Sequence, residues 1–490
     1  MNLRSSSARA SLYLLSLASG VLLAQTLPAQ SASTASASKV RIVRLSEVKG
    51  AVQLDRSNGR GLEPAIANLP VVERNRLQTG TGVAEVEFED NSSLRLAPDS
   101  MLEFPELSRT AAGTTVSSVR LMKGMAYITM VKSKGNEFNL LFGEHTVAIA
   151  AGTHLRIDVT DNDARLAVLD GALKLDTPRG PLEVTKKKTV TLLMSSEIDA
   201  SVAKNVDSNP LDAWDKQSTD YHARMAAMSA FGNSPYSYGV SDMLYYGAFS
   251  DAGGCGSMWR PYFTSASWEP YSAGAWAWSG AAYTWVSPYP WGWMPYYSGS
   301  WNYCPGAGWG WQPGGGWSGL NNGTLIAMNP SNGGKTHMPV APPHPPAPGS
   351  PVLVPVISKP LVRSELGSRN SFVFRNDSAG FGVPRGELGQ LNKFSAQAVS
   401  KGATRTTVYL SVEPRETSRV TPANSAVGTI SIHRGSPPPP RDSESSSSSS
   451  GSSSFGGGGT SSSSLSSSSS SGGAHGSPAP APSGGGGRPH

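Results

Sequence analysis

The chain has little cysteine, little charge and no long apolar run beyond its first residues, and each shortage removes a class of protein. Two cysteines, Cys255 and Cys304, occur in 490 residues. That is too few for a disulfide-dense scaffold, and with no histidine close to either it does not make a zinc site of three or four ligands. One disulfide in an oxidising compartment is the expected use. Charged residues make up 16% and the net charge is +6, spread thinly apart from Lys186-Lys187-Lys188, so there is no nucleic-acid footprint. Past Ala24 no segment approaches the roughly 18 apolar residues of a membrane span, so no transmembrane span is expected in the mature chain. A Gly-x-Ser-x-Gly elbow, a defined carboxylate pair and a His/Cys metal set are also missing. No catalytic, cofactor or metal residue is assigned, and a non-enzymatic protein is expected.

What is present begins with an export signal. Arg4 and Arg9 precede an apolar stretch from Ser11 to Ala24 that carries Leu12, Leu14, Leu15, Leu17, Val21, Leu22 and Leu23. At roughly 14 residues it matches a signal h-region and falls short of the ~20 of a spanning helix. Ala24, Ala29 and the Ala35-Ser36-Ala37 tract offer cleavage sites, and residues 1–37 are read as the signal peptide. The mature chain is then exported to the periplasm, the cell surface or the medium. There a Cys255–Cys304 bridge would close a loop of about 50 residues, which loop entropy values at roughly 4 kcal/mol.

Period-two alternation dominates residues 40–195. Ala84, Val86 and Phe88 alternate with Glu85, Glu87 and Glu89, the turn Asp90-Asn91-Ser92-Ser93 follows, and Leu94 and Leu96 flank Arg95. This pattern predicts a hairpin with one buried apolar face and one exposed charged face. Leu155, Ile157 and Val159 repeat it against His154, Arg156 and Asp158, and Asp161-Asn162-Asp163 and Asp170-Gly171 turn the chain. The expectation is a mainly β protein whose first domain holds about a dozen short strands in a solenoid- or sandwich-like arrangement without a helix. Glu85, Glu87 and Glu89 read as a solvated face rather than a calcium site. Asp161-Asn162-Asp163 lacks the glycine and terminal glutamate of a calcium loop, and His145 and His154 have no evident Cys, Asp or Ser partner.

Six short pieces of this region, in order, resemble the FecR domain, an extracytoplasmic β-rich module. They are Val48-Lys49-Gly50-Ala51-Val52, Leu77-Gln78-Thr79-Gly80, Phe88 to Leu96 with Ser100 after it, Leu121 to Ala126, Phe138 with Ala150-Ala151-Gly152-Thr153, and Val168 to Leu173. Glu73-Arg74-Asn75-Arg76 replaces the family's usual Gly-Asp, and Lys186-Lys187-Lys188 stands where a final glycine is usual. Family members that restrain a sigma factor place a cytoplasmic helical segment and a membrane span ahead of the domain. Here an export signal precedes it, so the resemblance implies an extracytoplasmic binding or signalling module and not the sigma-restraining role.

A helical connector is expected over residues 208–230, capped by Ser208 or Asn209 with Pro210 in the first turn. Leu211, Trp214, Tyr221, Met225 and Met228 fall on one face, and Asp215, Lys216, Asp220 and Arg224 form a polar face of both signs. Residues 245–320 then form a Trp/Tyr/Gly region. The run Trp268-Glu269-Pro270-Tyr271 through Trp276 and Trp278 returns roughly 25 residues later as Trp293-Met294-Pro295-Tyr296 through Trp301 and Tyr303, with Trp285 matched by Trp309 and Trp311. Such a period marks a repeated unit, expected here to be a hairpin with aromatic cross-strand pairs. Trp268, Tyr271, Trp276, Trp278, Trp293, Tyr296, Trp301 and Tyr303 are the candidate aromatic binding residues. Their rings either stack on sugars or build the core of a small disulfide-stapled domain.

Residues 332–351 read as a proline-rich linker and residues 352–435 as a weakly structured segment with strands near Leu353–Val356, Ser371–Phe374 and Thr407–Val412. Residues 436–490 read as a disordered Ser/Gly/Pro tail. Two functions follow. One is a non-catalytic exported protein that binds an envelope partner, either a protein or a cell-wall polysaccharide, in envelope signalling. The other is a self-associating structural or matrix protein of the cell surface. No cofactor is called for.

Overall fold

Alternating strands need a second apolar layer to bury their inner face, and the long strand Thr115–Thr129 supplies the joint between two such layers. In the computed structural model its first half pairs with Met101–Arg109 and, in parallel, with Asn136–Phe142. Its second half pairs with Ser93–Leu96 and His154–Val159. The change of partners falls at Gly124, where φ is +86° and a Cβ would lie 2.3 Å from Ser100 Oγ. Only glycine lets the strand bend there and leave one sheet for the other.

The residues described are 40–194, 200–227, 236–280, 282–324, 327–329, 334–335, 339–347, 350, 353–357 and 371–408. The signal at 1–37 and the tail at 436–490 lie outside them. Among the described residues, strands run from Val43 to Ala203 with no helix between, as the alternation predicted, and the protein is mainly β. The main sheet path runs Ala200–Ala203, Thr189–Leu193, Asp163–Asp170, His154–Val159, Thr115–Thr129, Ser93–Leu96, Val83–Glu87, Val43–Lys49 and Pro70–Val71. Val43, Leu45, Val86, Leu94, Ile128 and Ile157 from this path meet Leu54, Leu77, Phe104, Leu121, Phe138 and Leu140 from the other layer in one buried core.

The opposite face of the main path is charged but not exposed, which corrects the sequence reading of Glu85, Glu87 and Glu89. Glu85 and Glu87 are 0% exposed, and Glu89 is buried beside them. Helix α1 (Asp212–Ala227), helix α2 (Val240–Tyr246) and Arg385 cover this face and bring the opposite charges. Glu85 accepts from Ser46 Oγ at 2.7 Å, Arg95 Nε at 2.8 Å and Arg385 Nη1 at 2.6 Å, with His222 Nε2 at 3.0 Å. Arg44 bridges Glu87 at 2.9 Å and Asp242 of α2 at 2.8 Å and donates to the Pro290 carbonyl at 2.7 Å. Asp215, on the polar face of α1 by periodicity, is buried and receives Arg95 Nη1 at 2.9 Å. His154, expected to lack an acidic partner, has its Nε2 2.8 Å from the same Asp215. Alternation shows that a strand has two faces; it does not show what lies on the second.

Burial alone would raise the carboxyls of Glu85 and Asp242, but Arg385, His222 and Arg95 around the first, and Arg385 and Arg44 around the second, outweigh it. Both are held below their ordinary values of 4.5 and 3.8. A carboxylate depressed in the folded state stabilises fully above its unfolded pKa and loses that contribution as pH falls through its folded pKa. Urea midpoints are therefore expected to hold from neutral pH to about 5 and to fall steeply below about 4. A midpoint that declined between pH 8 and 6 instead would place the sensitivity in other groups.

The aromatic region folds by fitting indoles over glycines. A Cβ on Gly274 would come within 2.2 Å of the Trp285 ring, and one on Gly247 within 2.5 Å of the Trp259 ring. Flat rings need flat partners, which is why tryptophan and glycine are abundant together. Trp259, Trp268, Trp276, Trp285, Trp291, Trp293, Trp301 and Trp311 are all fully buried. Each copy of the repeat forms a hairpin: Ala273–Trp278 with Tyr283–Val286, and Ser300–Cys304 with Gly308–Gln312. The copies match pair for pair, Trp276 opposite Trp285 as Trp301 opposite Trp311, and Trp278 opposite Tyr283 as Tyr303 opposite Trp309. The Cys255–Cys304 disulfide ties the second hairpin to the turn after Gly247–Asp251.

The segment expected to be weakly structured packs into this aromatic core. Leu353–Ile357 adds a third strand to the first hairpin, and Ser371–Arg375 pairs with Ala403–Thr407. Between the latter two lies helix α3 (Leu391–Lys401), which the sequence reading did not anticipate. Phe372, Phe374, Leu388 and Leu391 are buried against the tryptophans. The strand expected at Thr407–Val412 ends at Thr407, and residues 409–412 lie outside the described ones.

Candidate functional site

The first hairpin of the repeat carries the site. Asn322 holds the following turn against it, accepting from the Trp285 N–H at 2.8 Å and donating to the Trp285 carbonyl at 2.7 Å. This brings Asn321 and Gly323 beside Trp276, Trp278 and Tyr283, where they border a cavity of about 790 Å³. Residues 339–345 of the proline-rich segment complete it. Arg60, in the loop between Val52–Asp55 and Leu62–Pro64, latches the end of that segment by donating to the carbonyls of Pro346 at 3.1 Å, Ala347 at 2.8 Å and Ser350. A segment read as a linker is thus fixed at one end by the strand-rich domain and joined at the other to the aromatic hairpin.

Of the eight candidate aromatic residues, Trp268, Tyr271, Trp276, Trp293, Tyr296 and Trp301 are buried, with Trp268 on Trp301, Tyr271 on Tyr296, Trp276 on Trp285 and Trp293 on Tyr297. Burial pushes the Tyr271 and Tyr296 hydroxyls well up from 10.0. Trp278 and Tyr303 stay partly exposed, each packed edge-on against its cross-strand partner, Tyr283 and Trp309. Trp278 reaches the cavity and Tyr303 does not border it. Tyr283, Asn321 and His344 were not singled out from sequence. Tyr283 could have been, as the position matching Trp309 in the second copy. Trp276 borders the cavity but is 1% exposed, and its indole N–H, like those of Trp285 and Trp293, is buried without an acceptor among the described residues.

Elsewhere, His222 Nδ1 lies 3.2 Å from Ser241 Oγ and its Nε2 3.0 Å from Glu85, an order that resembles a serine-hydrolase relay. Ser241 and Glu85 are buried, Arg385 Nη2 also sits 3.3 Å from His222 Nε2, and none of these residues borders the cavity. The arrangement serves the interface. Among the described residues no group of three or more His, Cys, Asp or Glu is placed to hold a metal, and no helix is long and apolar enough to cross a membrane. The carboxylates of Glu85, Glu87 and Glu89 are each paired with an arginine.

Comparison with known proteins follows this division. Residues 75–174 match the model of the FecR protein family, and residues 240–342 match a family of unknown function, DUF6600. No curated protein matches the chain. Two crystal structures of a candidate anti-sigma factor from Parabacteroides distasonis, at 2.50 and 1.65 Å resolution, are similar at 14% and 13% identity with TM-scores of 0.24. Each similarity covers 28% of this chain and 63% of that one. The chain carries a FecR domain followed by a DUF6600 region.

Proposed function

We propose that this is an exported, non-catalytic protein that binds a cell-wall glycan in the cavity between the aromatic hairpin and the proline-rich segment. The observation that carries the reading is the meeting of partly exposed Trp278 and Tyr283 with Asn321 and residues 339–345 around one cavity. Sugars present apolar C–H faces to aromatic rings and hydroxyls to polar groups beside them. A volume of about 790 Å³ falls within the range of small-ligand sites. Export is supported by the signal-like N-terminus and by the disulfide.

Calorimetry with soluble chitooligosaccharides and peptidoglycan fragments tests this directly. Trp278→Ala is expected to weaken binding about tenfold, roughly 1.4 kcal/mol, without changing the far-ultraviolet spectrum. Equal affinity in the variant would remove the cavity from the account. The FecR match favours a second reading, in which a protein partner docks for envelope signalling. A pull-down that captures an envelope protein and no glycan would favour that reading.

A further inference from the structure

A second cavity, of about 320 Å³, lies where the FecR domain meets the aromatic region and is bordered by Arg41, Glu89, Arg109, Tyr236, Tyr238 and Trp317. Arg41 is spent: it grips Glu89 with two hydrogen bonds of 2.7 and 2.8 Å and donates to the Val116 carbonyl at 2.6 Å. Arg109 is not. Its Nη1 donates to the Gly113 carbonyl at 3.0 Å, while Nη2 lies 3.9 Å from Glu89, beyond hydrogen-bond reach, and the side chain is 35% exposed. Its guanidinium stands 5.8 Å from the centre of the Tyr236 ring. Trp317 stacks with Tyr236 at 4.6 Å and with Tyr297 at 5.3 Å, so the ring faces are engaged within the stack. The cavity therefore joins a guanidinium with donors to spare, three aromatic side chains and a charge balance of +1 from Arg41, Arg109 and Glu89.

We propose that this seam cavity binds a small carboxylate-bearing ligand, held by Arg109. A planar guanidinium with donors to spare matches a carboxylate in a two-bond fork. One surplus positive charge suits a monoanion better than a phosphate, which carries more charge at neutral pH. The cavity has room for an amino acid or a monosaccharide, at the small end of ligand sites. The site is separate from the Trp278 cavity and does not depend on the glycan reading.

The test is calorimetric or NMR titration of the mature chain with N-acetylalanine and N-acetylmuramic acid. Their uncharged counterparts N-acetylalaninamide and N-acetylglucosamine, and inorganic phosphate, are run alongside. The carboxylates are expected to bind, and the uncharged probes and phosphate to bind at least tenfold more weakly. Arg109→Leu should lower carboxylate affinity at least tenfold, Arg109→Lys should lower it less, and Trp278→Ala should leave N-acetylalanine binding unchanged. Arg109 ends an edge of its strand and is partly exposed, so an unchanged thermal midpoint is the folding control. Equal binding of charged and uncharged probes, no binding of either carboxylate at millimolar concentration, or an Arg109→Leu variant that binds as before would each overturn the proposal. Loss of glycan binding on Trp278→Ala with N-acetylalanine binding intact would leave both sites standing.

Discussion

Glu85→Ala is expected to destabilise the protein by about 3–5 kcal/mol, the largest effect of any single side chain considered. The carboxylate sits at 0% exposure within 2.6 to 3.0 Å of two guanidiniums and an imidazole. Removing it leaves Asp215 and Asp242 as the carboxylates paired with Arg95 and Arg385, and leaves Ser46 Oγ with the Glu85 backbone carbonyl as its acceptor. Water cannot repair the loss, because helices α1 and α2 cover the face. Breaking one partner of a buried ion cluster costs far more than the cluster contributes as a whole. The Lys186–Asp170 pair is a useful contrast: at 2.8 Å its geometry is as good, but both side chains are more than half exposed, and Lys186→Ala should move the urea midpoint by no more than its error. A Glu85→Ala midpoint equal to wild type would mean that the face opens in solution and the network is not intact.

Loss of the Cys255–Cys304 bridge is the second large effect. The cysteines are separated by 49 residues, and freeing that loop in the unfolded chain costs roughly 4 kcal/mol in the entropy model, with measured bridges more often giving 2–4. A Cys255→Ser, Cys304→Ser variant, or reduction of the native protein, should raise amide exchange across Gly247–Asp251, Ser300–Cys304 and Gly308–Gln312. Exchange in Val43–Lys49 and Val83–Glu87 should rise less, because those strands belong to a core of aliphatic side chains that the bridge does not touch. Uniform protection in the reduced protein would show that the indole–glycine packing suffices without it.

The FecR match at 75–174 and the DUF6600 match at 240–342 fall on two parts of the chain that the geometry shows to be joined. Arg44 reaches from Val43–Lys49 to Asp242 and to the Pro290 carbonyl, Asn68 donates to the carbonyls of Ser287 and Tyr289, and Arg385 returns from the C-terminal side to Glu85. A seam of buried ion pairs fixes one relative placement, since a slip would strand a buried charge. Both cavities depend on that placement: Arg60, before the FecR-matching residues, latches the proline segment beside one, and Arg109 within them faces Tyr236 in the other.

Local chemistry was legible in the sequence. Alternation gave the β domain, the turn residues its hairpins, Pro210 and Asn209 the start of α1, and the doubled Trp motif two matched hairpins. Asn209 Oδ1 accepts from the Leu211 N–H at 2.9 Å, while Asp212 Oδ2 accepts from the Asn209 N–H at 2.7 Å, the reciprocal cap that those residue types favour. Helix α3 was missed because its buried residues, Leu391, Ser395 and Ala398, include only one large apolar side chain. Most of the candidate site was not legible either. Ring exposure depends on which neighbour packs against each face, and Asn321, His344 and the Arg60 latch come from segments far apart in the chain.

By itself, then, the sequence determined the strand pattern, the repeat, the single disulfide pair and the family of the first domain, because each rests on spacing between near neighbours or on a count. Only the tertiary structure decided that the Glu85–Glu89 face is interior, that most of the tryptophans are core, and that Trp278 and Arg109 stand at cavities. Those outcomes depend on which distant surface covers a face, and burial and charge pairing across a seam are properties of the packed whole.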